Sequence, residues 1–409
     1  MSRFSEFFAN KNVLITGGTG LFGMSIVEKL LRAFPKIGKI NLLVRSTKNE
    51  SLSQRASKYF DNEAFSRLKA KNGNGNLMDK IIWIEGDLSK PNMGLSPESV
   101  KHINETVNVI YHSAATVKFM EPLKNAIKLN VCGTNELLKI AKNCQNLKSF
   151  MYISTSFVNH RRSANRLDEK SYKHTVDPNL LIQMHDTMSS EEIELKKTEF
   201  LADFPNTYIF TKNAAEDLLH GNPGDLKIGV FRPGSIFRMH PKSPGNSTPV
   251  DLCTNALIAA TCDSATSSEN KKFYNFAVNS PSWLEQYEYY LDNVKDPWLA
   301  FGSLKYRFLS HMKDLVLEMN GTKGIYVREI EQHQKLIKLL EYFSTKEFHY
   351  STDNIDAIWK TMSEEEKELL FFNLKDVNWK EYFGKMCDGN KHVLHDMLDI
   401  KQTMMALAR

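Results

Sequence analysis

No apolar run in this chain approaches the ~18 residues that mark a membrane span. The opening stretch, MSRFSEFFANK, lacks the apolar core of a secretory signal, and the closing MMALAR is not a Ser-Lys-Leu peroxisomal address. Cysteine is scarce, with five in 409 residues. They are odd in number and widely spaced, with no C-x-x-C or histidine partner pattern, so neither a disulfide framework nor a metal site is expected and a reducing, intracellular compartment fits. Excess charge is also small. A net charge of +5 without a basic, aromatic-interleaved stripe suits an anionic cofactor or a thioester and excludes a nucleic-acid footprint. With 42% hydrophobic and 25% charged residues the chain is neither disordered nor fibrous, and it is long enough for one large domain and a smaller one.

What the chain does have is a glycine-rich turn at Asn12 to Gly23, NVLITGGTGLFG. Val13, Leu14 and Ile15 have the continuous apolar character of a strand buried on both faces. Gly17, Gly20 and Gly23 follow at fixed intervals, for a tight turn, close approach of a pyrophosphate and close helix-to-strand packing. The helix expected from about Leu21 to Ala33 points its free N–H groups at that anion, and Ile26, Val27, Leu30 and Leu31 form its apolar face. A dinucleotide site is therefore expected around Gly17, Thr19, Gly20, Leu21, Phe22 and Gly23.

A second buried strand, Lys39 to Val44, ends on Arg45. An acidic residue there would hold the ribose 2′-hydroxyl of NAD, whereas an arginine pairs with the 2′-phosphate of NADP, so NADPH is expected; Lys48 adds charge of the same sign. Residues 46 to 80 read as a polar surface insertion ending in the turn-rich KNGNGN. Ile81 to Glu85 is a third strand, followed by Gly86, Asp87 and Leu88, where the aspartate either meets the adenine or caps a turn. Val107 to Tyr111 is a fourth, running into His112, Ser113, Ala114 and Ala115, whose small side chains let the backbone pass close to the ribose and pyrophosphate. Pro122 to Asn143 reads as one long helix, and Ser149 to Ile153 as a fifth strand ending in Ser154, Thr155 and Ser156. Strands alternating with helices predict a parallel sheet with ligands beyond its carboxyl ends.

Tyr208 and Lys212 lie four residues apart in the helix-forming stretch NTYIFTKNAAEDLL, so both share one face. A phenol is a poor proton donor or acceptor at neutral pH, and an adjacent ammonium lowers its pKa by stabilising the phenolate. A hydroxyl from Thr155 or Ser156 can bond a carbonyl oxygen that gains charge as hydride arrives. The Y-x-x-x-K pattern recurs at Tyr342 and Lys346, far beyond the sheet-forming region, so position carries the argument. Only Tyr208 lies between a strand ending in hydroxyls and another strand, Lys227 to Phe231.

These motifs converge. GGTGLFG, Gly86–Asp87–Leu88, YHSAATVKFMEPL, NVCGTNELL, YISTSFVN, the Tyr208/Lys212 pair and VFRPGSI together resemble the fatty acyl-CoA reductases of extended short-chain dehydrogenase fold, over about residues 10 to 235. The resemblance resumes at TPVDLCTNALIAA, with Asp251 in a Pro-Val-Asp helix, and again over Leu339 to Leu394. It implies an α/β fold, a Rossmann-like doubly wound parallel sheet with a small C-terminal α-helical domain. The implied division is a reductase domain over 1–285, a connecting region over 286–335 and the helical domain over 336–409.

It also implies that NADPH reduces a long-chain acyl-CoA to a fatty alcohol and free coenzyme A through an aldehyde, as in wax and ether lipid formation. Thr155, Tyr208 and Lys212 would be catalytic. Gly17, Thr19, Gly20, Leu21, Phe22, Gly23, Arg45, Asp87, Leu88, Ala114, Ala115, Tyr208 and Lys212 would hold the cofactor. Ser156 stands where the family often has alanine, and Gly234 where it has serine. Only Phe237 to Ser247 precedes the Pro-Val-Asp helix, where relatives carry a longer loop. The implied location is a peroxisomal or endoplasmic-reticulum membrane surface, or otherwise the cytosol. Two competing readings are an NADP-linked dehydrogenase of sterol or sugar-nucleotide alcohols, and a catalytically weakened protein that binds NADPH or acyl-CoA.

Overall fold

The computed structural model describes residues 2–46, 50–72, 77–162, 166–237, 247–277 and 348–379, together with Asp314, Glu381 and Tyr382. Its strands are β1 (Val13–Thr16), β2 (Ile40–Val44), β3 (Ile81–Glu85), β4 (Val109–His112), β5 (Ser149–Ile153), β6 (Ile228–Pro233), β7 (Ser235–Phe237), β8 (Ser247–Pro249) and β9 (Lys271–Phe276). Seven of them form a parallel sheet in the order β3-β2-β1-β4-β5-β6-β9, and β7 pairs with β8 separately. Strand order reverses at β1, where Val13 pairs with Ile40 on one side and Val109 on the other. This is the switch point at which doubly wound sheets bind ligands.

Helices cover both faces, which is why β1, β2, β4, β5 and β6 are buried along their whole length. One core layer joins Leu14, Leu43, Ile110, Phe150, Tyr152, Ile228 and Val230 of the sheet to Ile103, Leu137, Leu138, Ala215 and Leu219 of the helices Pro97–Thr106, Gly133–Lys142 and Thr207–Gly221. The helices Leu21–Ala33 and Val250–Thr266 pack against each other through Ser25 Oγ and Thr254 Oγ1, 2.8 Å apart. The doubly wound sheet is therefore the one expected, with local differences.

Fourth and sixth strands are each displaced towards the site. β4 starts at Val109 and takes in His112, and β6 continues through Arg232 and Pro233. The expected helix over Pro122 to Asn143 contains a π-helical turn at Ile127–Cys132 between Leu123–Ala126 and Gly133–Lys142. The stretch expected as a surface insertion supplies buried Tyr59, Phe60, Phe65 and Leu68, because its aromatic rings close over the edge of the sheet at Trp83. β9 was not expected from the sequence.

One compact unit comprises Met1–Arg238, Ser247–Ala277 and Glu347–Phe372. Its last piece runs back along the sheet-bearing core: Leu167 N–H donates to His349 O at 2.7 Å and Asn255 Nδ2 to Phe371 O at 2.7 Å. The other unit, Met239–Asn246, Val278–Lys346 and Asn373–Arg409, falls almost entirely outside the described residues. The same is true of Lys48, the Tyr342/Lys346 pair, the 286–335 connection except Asp314, and most of 336–409 and of the 237–247 loop. Among the described residues no helix is long and apolar enough to cross a membrane and no cluster of side chains could hold a metal ion.

Candidate active site

The glycine turn joins β1 to the helix Leu21–Ala33. Gly17 has φ +73°, and a Cβ there would lie 2.8 Å from Ala114 N, so the turn requires glycine on both grounds. At Gly23 a Cβ would lie 2.2 Å from Gly17 O, which explains how closely the helix sits on the turn. Gly20 is different: a Cβ would meet only Gly17 O, at 3.3 Å. It caps the helix without a side-chain bond and no acidic residue occupies the first turn, so the leading amides at Leu21, Phe22 and Gly23 are left for an anion. The cradle fits a dinucleotide pyrophosphate.

Its rim is held by side chains from neighbouring elements. Tyr59 Oη donates to Gly18 O at 2.7 Å, and Arg55 reaches Thr19 Oγ1 at 3.2 Å and Arg45 O at 2.6 Å. Arg45 itself is exposed at the end of β2. Asp87 Oδ1 accepts the Ser89 N–H at 2.9 Å, so the carboxylate closes its own turn, the capping alternative. Desolvation raises its pKa, but the Ser89 bonds and the charges of Arg45 and Lys90 outweigh it and leave the group below the ordinary value. Leu88 packs against the core, under Gly133. Ala114 lies against Gly17, its N–H bonded to Thr16 Oγ1 at 3.2 Å, and Ala115 follows it, half-buried.

Tyr208 and Lys212 sit on the helix Thr207–Gly221, capped by Asn206, whose side chain accepts the Ile209 N–H at 2.9 Å. Lys212 Nζ donates to Ile153 O at 2.6 Å and lies 4.5 Å from the centroid of the Tyr152 ring. That bond brings the lysine to the carbonyl that precedes Ser154, Thr155 and Ser156. Thr155 is 6% exposed and its Oγ1 accepts the Phe157 N–H at 3.4 Å, while the Ser154 and Ser156 hydroxyls are buried. Tyr208 is half-buried against the Phe119 ring, 5.8 Å away. The expected depression of its phenol by an ammonium is not found in the protein alone. Burial pushes the phenol up instead, and pulls Lys212 down to about 7 against the opposing charge of Glu216.

An NAD-binding family model described as "Male sterility protein" matches residues 15–279, and a second model with that description matches 305–396. The chain belongs to the male sterility protein family. Among its relatives is the "Fatty acyl-CoA reductase wat" of Drosophila melanogaster, 29% identical over 92% of this chain and 83% of that protein. "Fatty acyl-CoA reductase 1" of Rattus norvegicus is 28% identical over 96% and 86%. The solved terminal R domain of the myxalamid PKS-NRPS pathway has the same fold, with a TM-score of 0.56 at 17% identity over 87% of this chain and 86% of that one. A nicotinamide dinucleotide site is thus a property of this male sterility protein family member.

Several residues within the matched region escaped the sequence reading. Asn130, in the π-helical turn, receives the Thr116 N–H on Oδ1 at 2.9 Å and donates to Thr211 Oγ1 at 2.9 Å, tying the loop after β4 to the Tyr208 helix. Behind it runs a directed chain: Thr134 donates to Asn130 O at 2.7 Å and so accepts from His112 Nε2 at 2.9 Å, leaving Nδ1 to accept from Thr16 at 2.8 Å. Burial, with the Lys212 charge adding to it, pushes His112 down to about 3, so the ring is neutral. A polar residue in an apolar helix face was the available signal for Asn130. Arg55 had none, because its partner lies 36 residues away.

Proposed function

We propose that this chain reduces long-chain fatty acyl-CoA to the fatty alcohol, consuming two NADPH and two protons and releasing coenzyme A, by way of the aldehyde. The observation that carries the reading is Lys212 bonded to the carbonyl at the end of β5, which sets the Tyr208 helix beside the Ser154–Ser156 hydroxyls. The relatives' names supply the substrate class. The cofactor would lie on the glycine cradle, with Arg45 at the end of β2 and Arg55, which reaches it from the helix Leu52–Tyr59, favouring a 2′-phosphate. When bound, it supplies the hydride.

The protein's own groups manage charge and protons. The Thr155 hydroxyl donates to the carbonyl oxygen as it becomes an oxyanion. The Tyr208 phenol, kept protonated by burial, is a donor at neutral pH, as reduction of the aldehyde requires. Lys212 holds the site's positive charge where that proton leaves.

The test is product analysis after incubation of the full chain with NADPH and a mixture of medium- to very-long-chain acyl-CoAs. Fatty alcohol supports the reading, and no product from folded protein overturns it; aldehyde alone would confine the activity to the first reduction. Tyr208→Phe should lower kcat about a hundredfold or more with the fold intact. An unchanged rate would remove Tyr208 from the chemistry.

A further inference from the structure

The helix that carries Tyr208 and Lys212 continues the same spacing to Glu216, so a carboxylate lies one turn beyond the lysine on the same face. Glu216 is 2% exposed and Arg232, from β6, is 1% exposed. They form a bidentate pair, Nε to Oε1 at 3.1 Å and an Nη to Oε2 at 2.7 Å. Arg232 is held on other sides too: its N–H groups donate to Lys170 O at 2.9 Å and Asp168 O at 3.4 Å, and its guanidinium lies 4.6 Å from the Phe273 ring centroid.

A buried ion pair is a poor source of stability, since an apolar pair of the same volume often does as well or better. Its place on the helix therefore matters more than its strength. The groups facing the Lys212 ammonium can be enumerated by element. Ile153 O and the Tyr152 ring come from β5, the neutral His112 from β4, and Glu216 from the helix itself. Among them Glu216 is the negative charge, and Arg232 fixes its direction.

We propose that Glu216, clamped by Arg232, is a positioning residue that keeps the Lys212 side chain in its charged form and in register with the end of β5. The proposal rests on the catalytic reading of Tyr208 and Lys212 given above. A lysine that burial brings to about 7 is only partly charged at neutral pH, so a neighbouring carboxylate decides how much of the protein is in the charged state. Arg232 also ties this helix to the 168–170 backbone, so the clamp serves position and charge together.

The experiment follows the Lys212 side chain by NMR in the full chain labelled on its lysines, with Lys212→Met to assign the signal, and needs no substrate. Glu216→Gln should lower the Lys212 titration midpoint by about one pH unit, a tenfold change in the ammonium-to-amine ratio. Because Glu216→Gln strands Arg232 and can unfold the protein, the neutral pair Glu216→Gln with Arg232→Met serves as the second variant, and a smaller downward shift is expected, since loss of the more distant Arg232 charge offsets part of the loss of Glu216. An unchanged midpoint in a folded variant overturns the proposal. In turnover, the basic limb of the kcat–pH profile should move down by the same amount in Glu216→Gln and stay near its original place in Glu216→Asp, which keeps the charge. A limb that moves equally in both would make Glu216 merely structural. If Lys212→Met leaves turnover intact, the catalytic reading itself fails; if it abolishes turnover while the midpoint ignores Glu216, only this inference fails.

Discussion

Arg55 shows how one side chain can link three parts of a site. Its guanidinium touches Thr19 on the glycine turn and the Arg45 backbone at the end of β2, so with the exposed Arg45 it frames the place where a 2′-phosphate would lie. Arg55→Ala is expected to raise KM for NADPH about tenfold and leave that for NADH nearly unchanged, a split measured by steady-state kinetics with both cofactors. Glu169 is a second informative residue. Its carboxylate accepts the Asn275 N–H at 2.8 Å and the Asn354 N–H at 2.6 Å, yet burial pushes it up to about 7, with Asp353 adding to the rise and Arg232 opposing it. The folded protein thus holds a proton that the unfolded chain gives up near 4.5, and stability from this group falls as pH rises from about 4.5 to about 7. Denaturant unfolding at pH 5 and pH 7.5 should show this loss, on the order of 2 kcal/mol after screening, and Glu169→Gln should flatten it.

At the scale of elements, the three glycines of the turn are not equivalent. Gly23→Ala would drive a methyl to 2.2 Å from Gly17 O and should cost several kcal/mol in chemical denaturation. Gly20→Ala meets only Gly17 O at 3.3 Å, so stability should change by less than about 1 kcal/mol while affinity for the dinucleotide falls. The His112 chain joins β4, β1 and the helical run around the π turn. His112→Leu leaves the Thr16 O–H without its acceptor and removes the bond that Thr134 accepts, and should destabilise by about 1–3 kcal/mol. Because the ring stays neutral in the fold but protonates near 6.5 once unfolded, wild-type stability falls below that pH, so the loss should be larger at pH 8 than at pH 5, by about 2 kcal/mol, which paired unfolding curves would check. The glycine spacing and the Tyr208/Lys212 register were legible in the sequence, since both are local periodicities. Arg55, Tyr59 and the His112 chain were not, because each acts through a partner distant in the chain.

For the sheet-bearing unit as a whole, the decisive feature is the piece Glu347–Phe372, which follows 69 residues of the other unit, Val278–Lys346, and packs with the core. Phe348, Tyr350, Ile355, Ile358, Leu370 and Phe372 are buried, Lys29 Nζ donates to Leu369 O at 2.6 Å, and Arg3 pairs with Glu366. Burying six such side chains contributes at most on the order of 10 kcal/mol, comparable with the whole stability of a domain. A chain ending at residue 277 should therefore be recovered unfolded or aggregated, as read by circular dichroism and size-exclusion chromatography. Recovery of a folded, cooperatively melting fragment would refute this.

By itself the sequence determined the alternation of buried strands and helices, the glycine turn after the first strand and the Y-x-x-x-K face. In each case the information lies within one element, in a period of two, three or four residues. Tertiary structure alone decided which way the electrostatics run. Burial, not the neighbouring ammonium, governs the Tyr208 phenol, and Glu216 rather than any residue of the recognised motif faces Lys212 with opposite charge. It also decided that β9 and residues 347–372 complete the core. Desolvation and long-range packing depend on everything that surrounds a group, and no local pattern encodes that surrounding.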